Sequence, residues 1–272
     1  MILVNGQAES TLPISDRGLQ YGDGVFETIV YRQQKLEYLT AHIQRLKLGC
    51  KRLNIDFNDD LLLHDELSRV CTTLTDNSII KVIITRGSGG RGYKAPHPCS
   101  PTRIISVHRY PDYPISYKQG ITVRFCKHNL AISPTLAGIK HLNRLEQVMA
   151  RSEWDSSDIQ EGLTFDTEQR LIEGTMTNIF LVKSGKLYTP SLTHCGIEGI
   201  IRNKVLSLAD KLELSPTIGE LSQQDLLQAD EVFLTNSVIK VWPVVKLVEP
   251  DTLWAHGPIT QKIQSQLHDV KH

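Results

Sequence analysis

The sequence predicts a mixed α/β (α+β) chain in two domains, and three observations carry that prediction. Runs rich in β-formers, such as Ile79-Ile80-Lys81-Val82-Ile83-Ile84-Thr85, recur in both halves of the chain. Between them lie stretches with apolar residues three and four apart, the period of amphipathic helices. Near the middle, Tyr110-Pro111-Asp112-Tyr113-Pro114 is punctuated by prolines in the manner of a linker. A length of 272 residues suits two such domains. The expected division is a smaller α/β domain over 1–109, a linker over 110–118, and a larger α/β domain over 119–272 that carries Lys140.

In order, the first short strand covers 2–4 and ends at Asn5-Gly6, a strong hairpin signal. Gly22 and Gly24 mark tight backbone before a strand over 25–31, and a second strand is expected near 36–39. Thr40 is placed to cap a helix over 41–53, whose stripe is Ile43, Leu46, Cys50 and Leu53. A helix over 59–73 follows, with Leu61, Leu62, Leu67 and Val70 as its apolar positions. Strands are expected over 79–85 and 103–108. The second half opens with a strand over 121–126. A helix then runs from Leu142 to about Trp154, with Leu142, Leu145 and Met149 on one face. A β-meander covers 161–189, a helix starts near Gly199, a strand covers 231–234, and a last helix covers 259–267.

Composition narrows the function classes. Apolar residues make up 40% and charged residues 22% of the chain, as in ordinary globular proteins. Basic and acidic residues balance at 30 each, so no general affinity for polyanions follows. The opening Met-Ile-Leu-Val-Asn-Gly turns polar too soon for a signal peptide, and no apolar run is long enough for a membrane span. The five cysteines are scattered without any Cys-x-x-Cys pair. A disulfide framework or zinc site is therefore not expected, and a reducing cytoplasm is the natural setting.

Several side chains are candidates for chemistry. Lys140 follows Gly138, which breaks the preceding segment, and precedes the expected helix. The positive end of a helix and partial burial both disfavour an ammonium, which poises such an amine to form a Schiff base with an aldehyde. Arg45 borders the stripe of its helix with His42 on the same side, and suits a surface ion pair or a two-pronged grip on an anion. The loop Arg86-Gly87-Ser88-Gly89-Gly90-Arg91-Gly92-Tyr93 fits a solvent loop, a single-stranded nucleic-acid contact, or a carrier of Arg91 to a substrate carboxylate. With no basic surplus elsewhere, no nucleic-acid partner is expected. Glu173 sits in a β-rich run, either facing solvent or buried as a carboxylate holding a proton on a ring nitrogen. Gly199-Ile200-Ile201 opens a helix whose N–H groups cap or bind an anion. Thr235-Asn236-Ser237 forms a hydroxyl-rich corner. A lysine, a carboxylate, a helix start, an arginine and hydroxyls are the groups that pyridoxal 5′-phosphate requires.

The order and wording of these stretches resemble the fold-type IV pyridoxal-phosphate family of branched-chain aminotransferases, D-amino-acid aminotransferases and aminodeoxychorismate lyases. The resemblance runs over nearly the full length. It is carried by Ser15-Asp16-Arg17 with Gly22-Asp23-Gly24, by Ala41-His42-Ile43-Gln44-Arg45-Leu46, by the 86–93 loop, and above all by Leu136-Ala137-Gly138-Ile139-Lys140-His141-Leu142-Asn143-Arg144-Leu145-Glu146-Gln147. It is nearest to the bacterial aminodeoxychorismate lyases.

This resemblance implies a D-amino-acid aminotransferase-like fold with pyridoxal phosphate in an interdomain cleft, a homodimer, and no metal. Lys140 is then the Schiff-base lysine and Glu173 the partner of the pyridine nitrogen. Arg45, the N–H groups of Ile200 and Ile201, the Ser237 hydroxyl and the Asn236 backbone hold the phosphate. Thr28 stands where branched-chain aminotransferases tend to have glycine and assists proton transfer, while Arg91 and Tyr93 contact substrate carboxylates. The implied reaction converts 4-amino-4-deoxychorismate to 4-aminobenzoate and pyruvate, by removal of the C4 proton and loss of the enolpyruvyl group. The enzymatic alternative is a transaminase of the same fold acting on D-amino or branched-chain acids. Segment 173–180 reads more like those members.

Overall fold

In the computed structural model, which describes residues 1–268, the chain divides into two units. Among the described residues, the first comprises 1–112 together with 139–143, and the second 113–138 with 144–268. Lys140, expected in the second domain, therefore belongs to the first. The cause is local: Phe26 N–H donates to Lys140 O at 3.0 Å and Leu142 N–H to Gly24 O at 2.9 Å, while Val25 and His141 form a bridge. Residues 140–142 thus pair by their backbone with residues 24–26 of the first unit.

That unit holds β1 (Ile2–Val4), β2 (Gln7–Ala8), α1 (Arg17–Tyr21), β3 (Gly24–Arg32), β4 (Lys35–Leu36), α2 (Leu39–Arg52), α3 (Asp60–Cys71), β5 (Ser78–Thr85) and β6 (Thr102–Arg109). The strands form one antiparallel sheet in the order β2-β1-β6-β5-β3-β4. Its core joins Val25, Ile29, Ile80, Val82 and Ile84 of the sheet to Ile43, Leu46, Leu63 and Leu67 of the helices. Strand periodicity explains why Glu27, in phase with Val25 and Ile29, also turns inward.

Three local expectations are corrected here. Thr40 does not cap α2: Tyr38 occupies that place with φ 54° and gives no side-chain cap. The expected second strand over 36–39 shrinks to Lys35–Leu36, because α2 begins at Leu39. Leu61 and Leu62 face solvent, and Leu63 takes the buried position, since α3 starts at Asp60 and sets the phase.

The second unit holds a short 3-10 turn (Ile115–Lys118), β7 (Ile121–Phe125), α4 (Leu145–Arg151), β8 (Glu161–Phe165), β9 (Leu171–Gly174), β10 (Asn178–Lys183), β11 (Lys186–Pro190), α5 (Ile200–Lys211), β12 (Thr217–Gly219), α6 (Gln223–Leu227), β13 (Glu231–Asn236), β14 (Lys240–Leu247), β15 (Thr252–Leu253) and α7 (Pro258–His268). Strands β10, β13, β14, β7, β8 and β9 follow one another as neighbours, and β9 pairs back to β10. The six therefore form a ring closed through one residue pair. The closing register places Glu173 opposite Asn178. One face packs Ile179, Leu181, Val232, Leu234, Trp242 and Val244 into a core. On the other, fully buried Phe180 and Phe233 stack at 5.0 Å.

The helix expected from Leu142 begins only at Leu145, and its apolar residues Leu145, Val148 and Met149 are 69%, 57% and 52% exposed. The Leu142 N–H is tied to Gly24 O rather than to a helical turn. Helix α6, unforeseen in the sequence, is closed by a capping box in which Ser222 and Asp225 satisfy each other's backbone N–H groups.

Candidate active site

In the first unit, Lys140 lies against Phe26. Its ammonium is 4.1 Å from the ring centroid, and that of Lys81 is 5.1 Å from the same ring. Thr28 is two residues along β3 and opposite Lys81 in register, so it shares that face. Lys140 is half-buried and held by backbone pairing to β3, not by a helix start. The helix-dipole argument for its reactivity therefore falls, while the partial burial stands.

Glu27 points to the helix layer. Its carboxylate accepts from Arg45 Nε at 2.7 Å and Arg45 Nη2 at 2.6 Å, and lies 2.6 Å from His42 Nδ1. Burial pushes this carboxyl up, but the Arg45 charge and the hydrogen bonds from Arg45 and His42 more than reverse it, holding it at about 2. Arg45 is thus a pinned guanidinium, not a loose surface cation. Glu27 escaped the sequence reading, although a charge in phase with Val25, Ile29 and Tyr31 was a signal.

Arg91 and Tyr93 stand in solvent on the loop after β5, with Tyr93 89% exposed. The loop is fastened from beneath. Buried Arg17 donates through Nη1 to Gly92 O and through Nη2 to Tyr93 O, each at 3.0 Å, and through Nε to Asp23 at 3.0 Å. Arg86 grips the same Asp23 through two bonds of 2.7 and 2.9 Å. The Ser15-Asp16-Arg17 and Gly22-Asp23-Gly24 stretches therefore serve as the anchor of the glycine-rich loop.

In the second unit, Glu173 is buried, not solvent-facing. Its Oε2 accepts from Ile197 N–H at 2.9 Å and Asn178 Nδ2 at 3.3 Å. Burial pushes the guanidinium groups of Arg144 and Arg202 down; Glu173 and Glu146 oppose this at Arg144, and Glu198 and Glu173 at Arg202, without reversing it. Asn178 pairs with Glu173 on one side and Thr235 on the other, so three buried polar residues form one rung across β9, β10 and β13.

Beside that rung, Gly199 begins α5 without a side-chain cap or an acid in the first turn. A Cβ on Gly199 would come within 1.9 Å of Asn178 Oδ1, so only glycine lets the helix start approach the sheet this closely. The leading N–H groups, including those of Ile200 and Ile201, lack intrahelical acceptors and form an anion-binding end. Thr235 Oγ1, in register with Asn178, is buried with no hydrogen-bond partner among the described residues. Asn236 spends its side chain on the turn, its Oδ1 accepting from Val238 and Ile239 N–H at 2.8 and 2.9 Å. Ser237 follows on that turn. An uncapped helix start beside an orphaned hydroxyl fits a phosphate, and a buried carboxylate fits a protonated ring nitrogen. Asn178 and Thr235 were missed because neither has meaning without the strand register.

Residues 24–247 match the family model described as amino-transferase class IV. The chain belongs to that family. It is 36% identical to the aminodeoxychorismate lyase of Vibrio harveyi, over 98% of this chain and 100% of that protein. The crystal structure of 4-amino-4-deoxychorismate lyase from Pseudomonas aeruginosa superposes with a TM-score of 0.95 at 42% identity, covering 100% of this chain and 99% of the other. The branched-chain amino acid aminotransferase of Escherichia coli gives a TM-score of 0.86 at 26% identity, covering 99% and 93%. The class IV fold expected from the sequence is thus established. Among the described residues no helix is long and apolar enough to cross a membrane, and no cluster of His, Cys, Asp or Glu is arranged to hold a metal.

Proposed function

We propose that this chain is a pyridoxal-phosphate-dependent lyase that converts 4-amino-4-deoxychorismate to 4-aminobenzoate and pyruvate. The observation that carries the reading is full-length likeness to two lyases of that description, at 36% and 42% identity. The rung of Glu173, Asn178 and Thr235 beside an uncapped helix start supports the cofactor.

When bound, pyridoxal phosphate supplies an aldehyde and a cationic ring that accepts electrons. Lys140 is assigned to hold the aldehyde and Glu173 to keep the proton on the ring nitrogen. The N–H groups of Ile200 and Ile201, the Ser237 hydroxyl, the Asn236 backbone and Arg45 are assigned to the phosphate. Freed when the substrate amine takes its place on the aldehyde, the Lys140 amine would take the proton from substrate C4. As the C3–O bond breaks, the departing enolpyruvyl group receives a proton from Lys140 or the Thr28 hydroxyl and leaves as pyruvate. General acid–base help of this kind contributes about 10²–10⁴-fold. Arg91 and Tyr93 are assigned to the substrate carboxylates.

A homodimer belongs to this reading, supported by the outward apolar stripe of α4. A cytoplasmic setting is supported by five cysteines with no disulfide among them. The deciding experiment incubates the purified, cofactor-loaded chain with 4-amino-4-deoxychorismate, and separately with D-amino or branched-chain acids plus 2-oxoglutarate. Release of 4-aminobenzoate and pyruvate is expected. Keto-acid turnover without 4-aminobenzoate would overturn the lyase in favour of a transaminase.

A further inference from the structure

Glu161 at the start of β8 is fully buried, and five donors converge on it. Its Oε1 accepts from Gly162 N–H at 2.9 Å, Thr175 N–H at 3.1 Å and Thr175 Oγ1 at 2.5 Å. Its Oε2 accepts from Met176 N–H at 3.2 Å and Thr177 Oγ1 at 3.0 Å. Four of the five donors belong to the turn 174–177. That turn joins Glu173 to Asn178, the pair that closes the strand ring.

The turn is also held from the other end. Met176 N–H points to Glu161, while Met176 O accepts from Asn236 Nδ2 at 3.1 Å. Asn236 in turn organises the backbone that carries Ser237. Gly174 belongs to the same device, because a Cβ there would come within 2.2 Å of Thr177 Oγ1 and 2.9 Å of Glu161 Oε2. One buried carboxylate thereby fixes the peptide between the residue assigned to the ring nitrogen and the corner assigned to the phosphate.

We infer that Glu161 is a positioning residue that sets the placement of Glu173 by locking the 174–177 turn. It acts through Glu173 and touches neither cofactor nor substrate. The inference rests on the assignment of Glu173 to the ring nitrogen. Glutamine has nearly the same shape but cannot replace it. Each carboxylate oxygen faces at least one backbone N–H, so an amide NH₂ in either orientation meets a donor head-on.

The test uses the full chain as wild type, Glu161→Gln and Thr177→Val. Each is titrated with pyridoxal phosphate, and the visible band of the bound cofactor is followed from about pH 6 to 9. Amide exchange across 174–178 is measured on the cofactor-free chains. Expected are faster exchange in that segment, a cofactor dissociation constant raised roughly tenfold for Glu161→Gln, and a displaced pH titration of the band. Thr177→Val, which deletes one donor, shows smaller changes of the same sign. It decides the matter alone if Glu161→Gln does not fold. Wild-type exchange, band and affinity in the folded variants would overturn the inference. A wild-type chain that takes up no cofactor would instead overturn the function it rests on.

Discussion

Arg45 grips Glu27 fork to fork, with Nε 2.7 Å from one carboxylate oxygen and Nη2 2.6 Å from the other. His42 Nδ1 lies 2.6 Å from the second oxygen, so the carboxylate is a shared anchor for two residues of one helix. The arginine that the sequence offered as an anion ligand thus reaches its position already oriented, with most of its entropy cost met in folding.

This pairing makes part of the stability depend on acid. The Glu27 carboxyl lies at about 2 in the folded chain against an ordinary value of 4.5. A depressed carboxyl contributes stability that is fully present above its unfolded value and is lost as pH falls through the folded one. Unfolding free energy should therefore fall by about 3 kcal/mol from this group between about pH 5 and pH 2. Urea titrations at several pH values measure it. Glu27→Gln should be less stable at neutral pH, because a partly buried guanidinium loses its counter-charge, and its pH slope should be shallower. Equal slopes for the two proteins would refute the assignment.

Gly199→Ala tests the approach of α5 to the sheet. The backbone at Gly199, with φ −73° and ψ 141°, suits alanine, so any cost is steric. The added Cβ would sit 1.9 Å from Asn178 Oδ1 and force that side chain off its 2.8 Å bond to Ile197 O. A loss of about 1–3 kcal/mol is expected, as for overpacked interiors. Weaker uptake of pyridoxal phosphate should accompany it. Thermal unfolding and cofactor titration report the two effects, and a variant matching wild type in both would contradict the packing described.

Arg17→Met should free the glycine-rich loop while sparing the cofactor. The substitution removes both bonds to the Gly92 and Tyr93 carbonyls, yet leaves Asp23 paired with Arg86. None of the residues assigned to the cofactor lies on that loop. Trypsin should cut after exposed Arg91 several-fold faster, at a stability cost of about 1–3 kcal/mol. Substrate KM should rise with cofactor affinity unchanged. An unaltered cleavage rate would show that Arg17 does not fasten the loop.

The strands of both units were legible because alternation and β-branched runs survive in any context: β1, β3, β5, β6 and β7 lie within a residue or two of their expected bounds. Phase was harder. Leu61, Leu62 and Leu63 satisfy a helical stripe in any rotation, and only packing selected Leu63. Residues 139–144 show the deeper limit. Their apolar spacing is helical, but hydrogen bonds to residues 24–26, far back in the chain, take up part of the segment's backbone instead. Glu161 was silent for the same reason, since its turn partners lie 14 to 16 residues downstream. The resemblance to class IV enzymes named Lys140 and Glu173 from motif alone, and strand register added Asn178 and Thr235.

Helix α4 tests the homodimer. Leu145, Val148 and Met149 recur three and four residues apart, so they form one stripe, and all three are more than half exposed. Ala150 alone is buried in that helix. A contiguous apolar stripe on a short helix is costly in water and is the usual mark of a surface that pairs. Replacing Leu145 and Met149 together by glutamate places two like charges at the centre of such a contact, where desolvation and repulsion both oppose association. Sedimentation of the wild-type chain should give about twice the 30.6 kDa of one chain, and the double variant should approach the single-chain mass. Because the changed residues are already solvent-facing within the chain, its far-ultraviolet spectrum should not change. A double variant that sediments as wild type would move the pairing surface elsewhere, and a wild-type monomer would remove the dimer from the proposed function.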